Sequence, residues 1–150
     1  MNFNRRHFPK HFFSRSEEHL VFRAIKSVEL RTSAEIRVHL DEKITKDVLE
    51  HAQEIFQKLG MTKTKDRNGV LIFLALKNRK FAILGDEGIH KKVPESFWTE
   101  ISEQMTRSFR EDRFAEGIVQ AIERAGEKLH QYFPAQSDDE NELSDQITIS

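Results

Sequence analysis

Five side chains whose oxygen atoms can bind a cation lie at the ends of short apolar segments of this sequence. They are Glu35, Asp66, Asn68, Asp86 and Glu87. The chain has 150 residues and no cysteine, which excludes thiol catalysis, iron–sulfur clusters and cysteine-based zinc modules. Carboxylate and amide oxygens are the ligands that hard divalent cations prefer, so cation binding is the first chemistry to consider.

Two apolar segments in the middle of the chain predict a β-hairpin. Residues 69–76 are apolar without alternation, which is typical of a strand covered on both faces by helices. The polar turn 77–79 leads directly into a second apolar segment, 81–84, so the two strands are predicted to be antiparallel.

The position of the turn predicts which residues meet at the open end of the hairpin. With the turn centred on Asn78, Leu71 is expected opposite Gly85, and Asn68 faces the loop 86–88. Four of the five oxygen-bearing side chains are therefore expected to share one edge of the sheet.

An earlier segment, 35–40, alternates strictly between polar and apolar residues and predicts another strand. Its apolar face holds Ile36, Val38 and Leu40, and the other face holds Glu35, Arg37 and His39. A helix is expected after it, from Asp47 to a stop at Gly60, which completes a parallel, right-handed βαβ unit. If the two parallel strands are neighbours, Glu35 joins the same sheet edge.

Further helices are predicted on both sides of these strands. Ser14 and Glu17 have capping-box spacing and begin a helix over about 16–31. Two more follow, one opened by Val93 and Pro94 and one over about 113–132, and we interpret their aromatic stripes as core. The order αβαββαα predicts an α/β fold, a three-layer α/β/α sandwich with a small mixed sheet.

The charge pattern predicts three regions. Residues 134–150 contain five acidic residues and no basic one, and we expect an acidic, largely disordered tail with a short docked piece at 143–149. Residues 1–13 form a basic flexible arm, which is either a nucleic-acid or membrane contact or, as we favour, a frayed terminus whose Phe residues partly pack. The α/β domain is expected over 14–133.

Several other classes of function are disfavoured. The net charge is only −1, so nucleic acid is not expected as a partner. No Gly-rich phosphate loop, GxSxG or HExxH motif occurs, and the one histidine pair at i, i+4, His7 and His11, lies in the arm. No apolar run is long enough for a membrane span and no signal peptide is recognisable, so we expect a cytoplasmic protein.

The clustered carboxylates allow two interpretations. They would repel one another without a compensating charge, and Ca²⁺, or alternatively Mg²⁺, is the natural occupant; Gly85 and Gly88 allow the loop to approach closely. Alternatively they are turn and cap residues, solvated independently, with Arg37 and Arg67 supplying the countercharge.

Four blocks together carry a family resemblance. They are Thr-Ser-Ala-Glu-Ile-Arg-Val (32–38), Arg-Asn-Gly-Val-Leu-Ile (67–72), Ala-Ile-Leu-Gly-Asp-Glu-Gly-Ile (82–89) and Phe-Arg-Glu-Asp-Arg-Phe-Ala-Glu-Gly-Ile (109–118). Over about 14–133 the chain resembles the TPM-domain family, named after a thylakoid-lumen protein, a photosystem repair protein and a nematode receptor modulator. It is most similar to short bacterial members without signal peptide or membrane anchor.

The resemblance implies an α/β/α sandwich, Ca²⁺ binding in a groove at the sheet edge and, for plant members, acid phosphatase activity. The acidic positions it implies here are Glu35, Asp66 and Asp86, joined by Asn68 and Glu87. Ala34 departs from the family, because many members have Gly between Ser and Glu at that point.

Two functions follow as hypotheses. The first is a calcium-binding domain with a regulatory or interaction role and an unknown protein partner. The second is a metal-assisted acid phosphatase acting on phosphomonoesters, with hydroxyl groups at Ser33, Thr62 and Thr64 and with Arg37 or Arg67 holding phosphate. No activating base stands at a defining spacing, so the sequence identifies no catalytic residue.

Overall fold

The computed structural model describes residues 8–135 and 147–150. Its centre is a four-stranded sheet in the order β3-β2-β1-β4. The strands are β1 (Ile36–Asp41), β2 (Val70–Ala75), β3 (Lys80–Gly85) and β4 (Ile147–Ile149). β1 runs parallel to both β2 and β4, whereas β2 and β3 are antiparallel. The predicted hairpin and the parallel βαβ unit are both confirmed.

Helices cover both faces of this sheet. They are α1 (Pro9–Phe12), α2 (Arg15–Glu29), α3 (Val48–Lys58), α4 (Glu87–His90), α5 (Glu95–Arg110) and α6 (Phe114–Tyr132), with a 3₁₀ turn at Met61–Lys63. The larger core cluster lies between one face of the sheet and α2, α5 and α6; the smaller lies between the other face and α3. The predicted three-layer sandwich and mixed sheet are confirmed, and α1, α4 and β4 add to the predicted order.

Local sequence signals explain where the main helices begin and end. Ser14 accepts from the N–H of Glu17, whose carboxylate accepts from the N–H of Ser14, so the predicted capping box starts α2. Asp47 accepts from two backbone N–H groups at the start of α3. Gly60 follows α3 with a φ of 73°, a left-handed conformation that favours glycine.

The register of the β2–β3 hairpin differs by one residue from the prediction. Val70 pairs with Gly85, and Leu71 pairs with Leu84 instead of Gly85. The connection has four residues, 76–79, and the N–H of Arg79 donates to the carbonyl of Leu76. The turn is therefore centred between Lys77 and Asn78, half a residue from where the sequence placed it.

β1 is buried on both faces. The alternation placed Arg37 and His39 opposite the core face, yet they are only 4% and 2% exposed. The layer formed by α3 covers that second face, and the imidazole of His39 stacks on Phe73 with a centroid distance of 6.0 Å. The alternation in this strand therefore separates two buried faces, one polar and one apolar, and not a buried face from an exposed one.

The predicted arm and tail lie partly within the described residues. Within 8–13, Phe12 and Phe13 are buried in the larger core. Pro134 pairs with Thr32, and β4 falls within the predicted docked piece at 143–149. Residues 1–7 and 136–146 lie outside the described residues, so the flexibility of the arm and the disorder of the tail stay predictions.

Among residues 8–135 and 147–150, no helix is both long enough and apolar enough to cross a bilayer.

Candidate metal site at the sheet edge

The five predicted residues lie at the end of the sheet where β1 and β2 begin and β3 ends. The N–H of Val70 donates to the carbonyl of Glu35 at 2.8 Å, which aligns the starts of β1 and β2. The N–H of Asp86 donates to the carbonyl of Gly69 at 2.9 Å, which brings in the end of β3. The predicted meeting of three strand ends is confirmed for the backbone.

Arg67 forms ion pairs with the two acidic residues that follow β3. Its Nε and Nη2 atoms lie 2.6 and 2.9 Å from the two carboxylate oxygens of Asp86, and Nη1 lies 3.4 Å from Glu87. Asp86 is only 7% exposed and also accepts from the N–H of Glu87, which caps α4. The guanidinium therefore compensates the charge of a buried carboxylate.

Glycine allows the two loops of this edge to touch. A Cβ on Gly88 would lie 2.2 Å from the carbonyl oxygen of Asp66, and its N–H donates to the carbonyl of Arg67. A Cβ on Gly85 would lie 2.6 Å from the ring of Trp98. The close approach predicted for Gly88 joins the loop before β2 to the loop after β3.

Ser33 links the two predicted residues that precede β2. Its hydroxyl donates to Asp66 Oδ2 at 3.3 Å and accepts from Asn68 Nδ2 at 3.1 Å. The N–H of Asn68 donates to the hydroxyl of Thr64. Asn68 is 1% exposed, and its Oδ1 atom has no hydrogen-bond partner in the described part of the chain. A buried acceptor without a donor is uncommon in folded proteins and needs an explanation.

Glu35 forms a side-chain hydrogen bond with Glu29. Glu35 is 4% exposed, and Glu29 is at the end of α2. Burial raises the pKa of Glu29, against the opposing effect of hydrogen bonds from Glu35 and from the N–H of Ile36. Glu29 therefore holds its proton more tightly in the folded chain than in solution.

The five residues thus form three neighbouring groups. Asp86 and Glu87 meet through Arg67, Asp66 and Asn68 meet through Ser33, and Glu35 pairs with Glu29. Across the two described ranges, no three His, Asp or Glu side chains lie close enough together to hold a metal ion. A cation at this edge would therefore draw on amide, hydroxyl or carbonyl oxygens as well as carboxylates.

A second polar cluster, which the sequence did not reveal, lies towards the other end of β1. The imidazole of His51 is 2.9 Å from Asp41 Oδ2, and His39 Nε2 is 3.6 Å from Asp41 Oδ1. Burial alone raises the pKa of Asp41, but hydrogen bonds with His39, Ser150 and His51 outweigh it and lower the pKa. The i, i+2 spacing of His39 and Asp41 was the available signal, since it places both on one strand face.

Comparison with known proteins decides the family. The family model described as the TPM domain matches residues 8–128, most of the chain. The chain belongs to the TPM-domain family. The match confirms the resemblance seen in the four sequence blocks.

Solved structures with this TPM fold include two informative neighbours. The BA42 protein of the psychrophilic bacterium Bizionia argentinensis is 39% identical, with a TM-score of 0.86 over 93% of this chain and 96% of that chain. The N-terminal domain of a protein from P. gingivalis is 16% identical, with a TM-score of 0.61 over 83% of each chain, and supports the fold alone. No curated protein matches the chain.

Proposed function

We propose that this TPM domain binds a divalent cation, Ca²⁺, in the loops at the amino-terminal edge of its sheet, and that it acts as a regulatory or interaction domain. The observation that carries the proposal is the unpartnered Oδ1 of Asn68. A buried amide oxygen without a donor is costly, and a cation is a partner that would satisfy it.

The surrounding donors are all oxygen atoms. Ser33 bonds to Asn68 and joins it to Asp66, and Asp86 lies on the loop that Gly88 holds against them. Ca²⁺ accepts six to eight oxygen ligands in a flexible geometry, including backbone carbonyls, whereas Mg²⁺ requires near-octahedral order. Loops with mixed oxygen donors therefore favour Ca²⁺ over Mg²⁺.

Arg67 sets the expected strength of binding. Its guanidinium already makes two hydrogen bonds to the Asp86 carboxylate, so a cation that engages Asp86 competes with a positive charge of the protein itself. Removing that charge should strengthen cation binding, because Asp86 and Glu87 then need another partner. A purely structural role for these carboxylates does not require that result.

The test is an NMR titration of the isotopically labelled chain with Ca²⁺ and, separately, with Mg²⁺. We expect Ca²⁺ to shift the amide signals of Asn68 and Asp86, and Arg67→Gln to lower the dissociation constant about three- to tenfold. Lys63→Gln is the matched control, because it removes one positive charge from an exposed position in the turn before β2. Asp86→Asn should weaken binding at least tenfold.

Two results would oppose the proposal. The first is the absence of Ca²⁺-dependent shifts around Asn68 in the wild-type chain. The second is an equal effect of Arg67→Gln and Lys63→Gln, which would reduce the role of Arg67 to general electrostatics.

A phosphomonoesterase is the second candidate, and one contact favours it. The hydroxyl of Ser33 donates to the carboxylate of Asp66, which is the pairing of a nucleophile with a base. The same set of proteins, together with Ser33→Ala, can be assayed with p-nitrophenyl phosphate. Activity that falls by two orders of magnitude in Ser33→Ala would support catalysis, and activity that is unchanged in Ser33→Ala and Asp86→Asn would assign it to a contaminant.

A further inference from the structure

The outer edge of β1 is occupied by a short segment of the same chain. β4 pairs in parallel with Val38, His39 and Leu40, and the N–H of Ser150 donates to the carbonyl of Leu40. β4 is only three residues long, and its residues are half-buried or exposed. A pairing this short is held by few contacts.

One buried side chain of β1, His39, forms hydrogen bonds with two side chains of this segment. The imidazole of His39 bonds to the hydroxyl of Thr148 through Nδ1 at 2.6 Å and to the hydroxyl of Ser150 through Nε2 at 2.5 Å. Residues two apart in a strand share one face, which is why a single ring meets both hydroxyls. Phe73, stacked on the ring, and Asp41 hold the ring in place.

The chemistry of the ring specifies the residues that fit. A hydroxyl can donate or accept a hydrogen bond, so each nitrogen of the ring has a suitable partner in this segment. Valine at 148 would leave the buried Nδ1 without its partner, and alanine at 150 would remove the hydroxyl that lies between Nε2 and Asp41. Ile147, the apolar residue before them, packs against the larger core.

The connection to the domain makes exchange feasible. Eleven residues, 136–146, separate Ala135 from Ile147, and they include five acidic residues and no basic one. A tethered segment competes with free ligands at an effective concentration of about millimolar. A separate segment with the same pattern can therefore displace it at an attainable concentration.

We propose that the β1 edge is a peptide-binding site, that residues 147–150 occupy it reversibly, and that its partner is an extended protein segment with an apolar residue followed by hydroxyl residues at two alternate positions. Main-chain pairing along β1 supplies binding, and His39 supplies selectivity. This proposal is independent of the cation site.

The test uses the full chain, labelled with ¹⁵N, and an unlabelled decapeptide with the sequence of residues 141–150. We expect roughly millimolar peptide to move the amide signals of 147–150 to unstructured positions while the amides of β1 stay protected. The same peptide carrying Thr148→Val and Ser150→Ala should compete about tenfold less well, because two hydrogen bonds are lost. Conversely, the labelled chain carrying both substitutions should release its own segment at about tenfold lower peptide concentration.

Three outcomes would overturn the proposal. The first is that millimolar peptide leaves the amide chemical shifts of 147–150 unchanged, both in the wild-type chain and in the chain with Thr148→Val and Ser150→Ala. The substituted peptide could compete as well as the original, which would remove the selectivity of His39. Exchange of the segment between two copies, seen as dimerisation that rises with protein concentration, would identify a second copy as the occupant instead of a separate partner.

Discussion

Two carboxyl groups meet where α2 ends and β1 begins, and their contact determines how this end of the core responds to pH. Glu29 Oε2 accepts from the N–H of Ile36 and shares a hydrogen bond with Glu35. Because burial raises the pKa of Glu29, the folded chain binds this proton more tightly than the unfolded chain does. The stability from this group is fully present below its ordinary pKa of 4.5 and is lost as pH rises through the raised value.

Glu29→Gln should therefore stabilise the protein at neutral pH. The amide keeps an acceptor for the N–H of Ile36 and gives a permanent donor to Glu35, so we expect a free energy of unfolding about 1 kcal/mol higher at pH 7. Urea denaturation at pH 7 and pH 4 measures it, and the advantage should disappear at pH 4. Glu18→Gln, exposed on the same helix, is the control, and a loss of stability in Glu29→Gln at pH 7 would contradict the raised pKa of Glu29.

At this scale the sequence predicted positions better than partners. Asn68 and Asp86 lie at the predicted edge, because strand order and turn length determine the location of a residue. Arg67 was expected as a countercharge and does pair with Asp86 and Glu87, but the geometry of that pairing depends on a left-handed backbone conformation with a φ of 52°. No periodicity in the sequence encodes that conformation or the direction in which the guanidinium points.

The long helices and the three longer strands were predictable because each repeats its pattern over many residues. α4 and β4 have four and three residues, too few to establish a period. The hairpin register missed by one residue because it depends on the length of the loop before β3, and a polar turn has more than one suitable length. Element type was therefore accessible from the sequence, and short elements and register were not.

Packing of α2 against α6 offers a test at the level of these elements. A Cβ on Gly126 would lie 2.6 Å from Cγ2 of Val28, which is 1% exposed. Gly126→Ala gains about 1 kcal/mol of helix propensity, and we expect the steric conflict to outweigh it, for a net loss of about 1 kcal/mol.

Val28→Ala provides the matched partner in a double-mutant cycle followed by urea denaturation. It removes the methyl groups that Gly126→Ala would strike, so the double variant should lose less than the sum of the single losses, by about 1 kcal/mol. Strict additivity would show that α2 and α6 shift apart without conflict.

The whole molecule combines a basic main part with an acidic end. Residues 1–133 contain 24 basic and 20 acidic residues, for a net charge of +4, and the last seventeen residues bring the total to −1.

The sequence placed the start of the domain at residue 14, because the basic residues before it indicated an arm. The family match begins at residue 8, and Phe12 and Phe13 are buried, since aromatic burial outweighs the nearby charges.

Phe12→Ala tests whether this segment stabilises the domain as a whole. Phe12 is 3% exposed and packs edge-on against Phe13 and Phe114, so we expect a loss of about 3 kcal/mol in thermal or urea unfolding. Phe22→Ala, at a position 41% exposed, should change stability by only about 0.5 kcal/mol. A loss in Phe12→Ala as small as that expected for Phe22→Ala would place Phe12 outside the cooperative unit.

The pairing of β4 with β1 also bears on solubility. Strand edges with free N–H and C=O groups are templates for edge-to-edge aggregation, and β1 is a buried strand rich in Ile, Val and Leu. β4 covers Val38–Leu40 of that edge and presents in its place a three-residue strand preceded by an acidic stretch. Short edge strands and nearby charges are two features by which native proteins prevent pairing between the sheet edges of different molecules. By covering β1, β4 is therefore also expected to reduce aggregation through this edge.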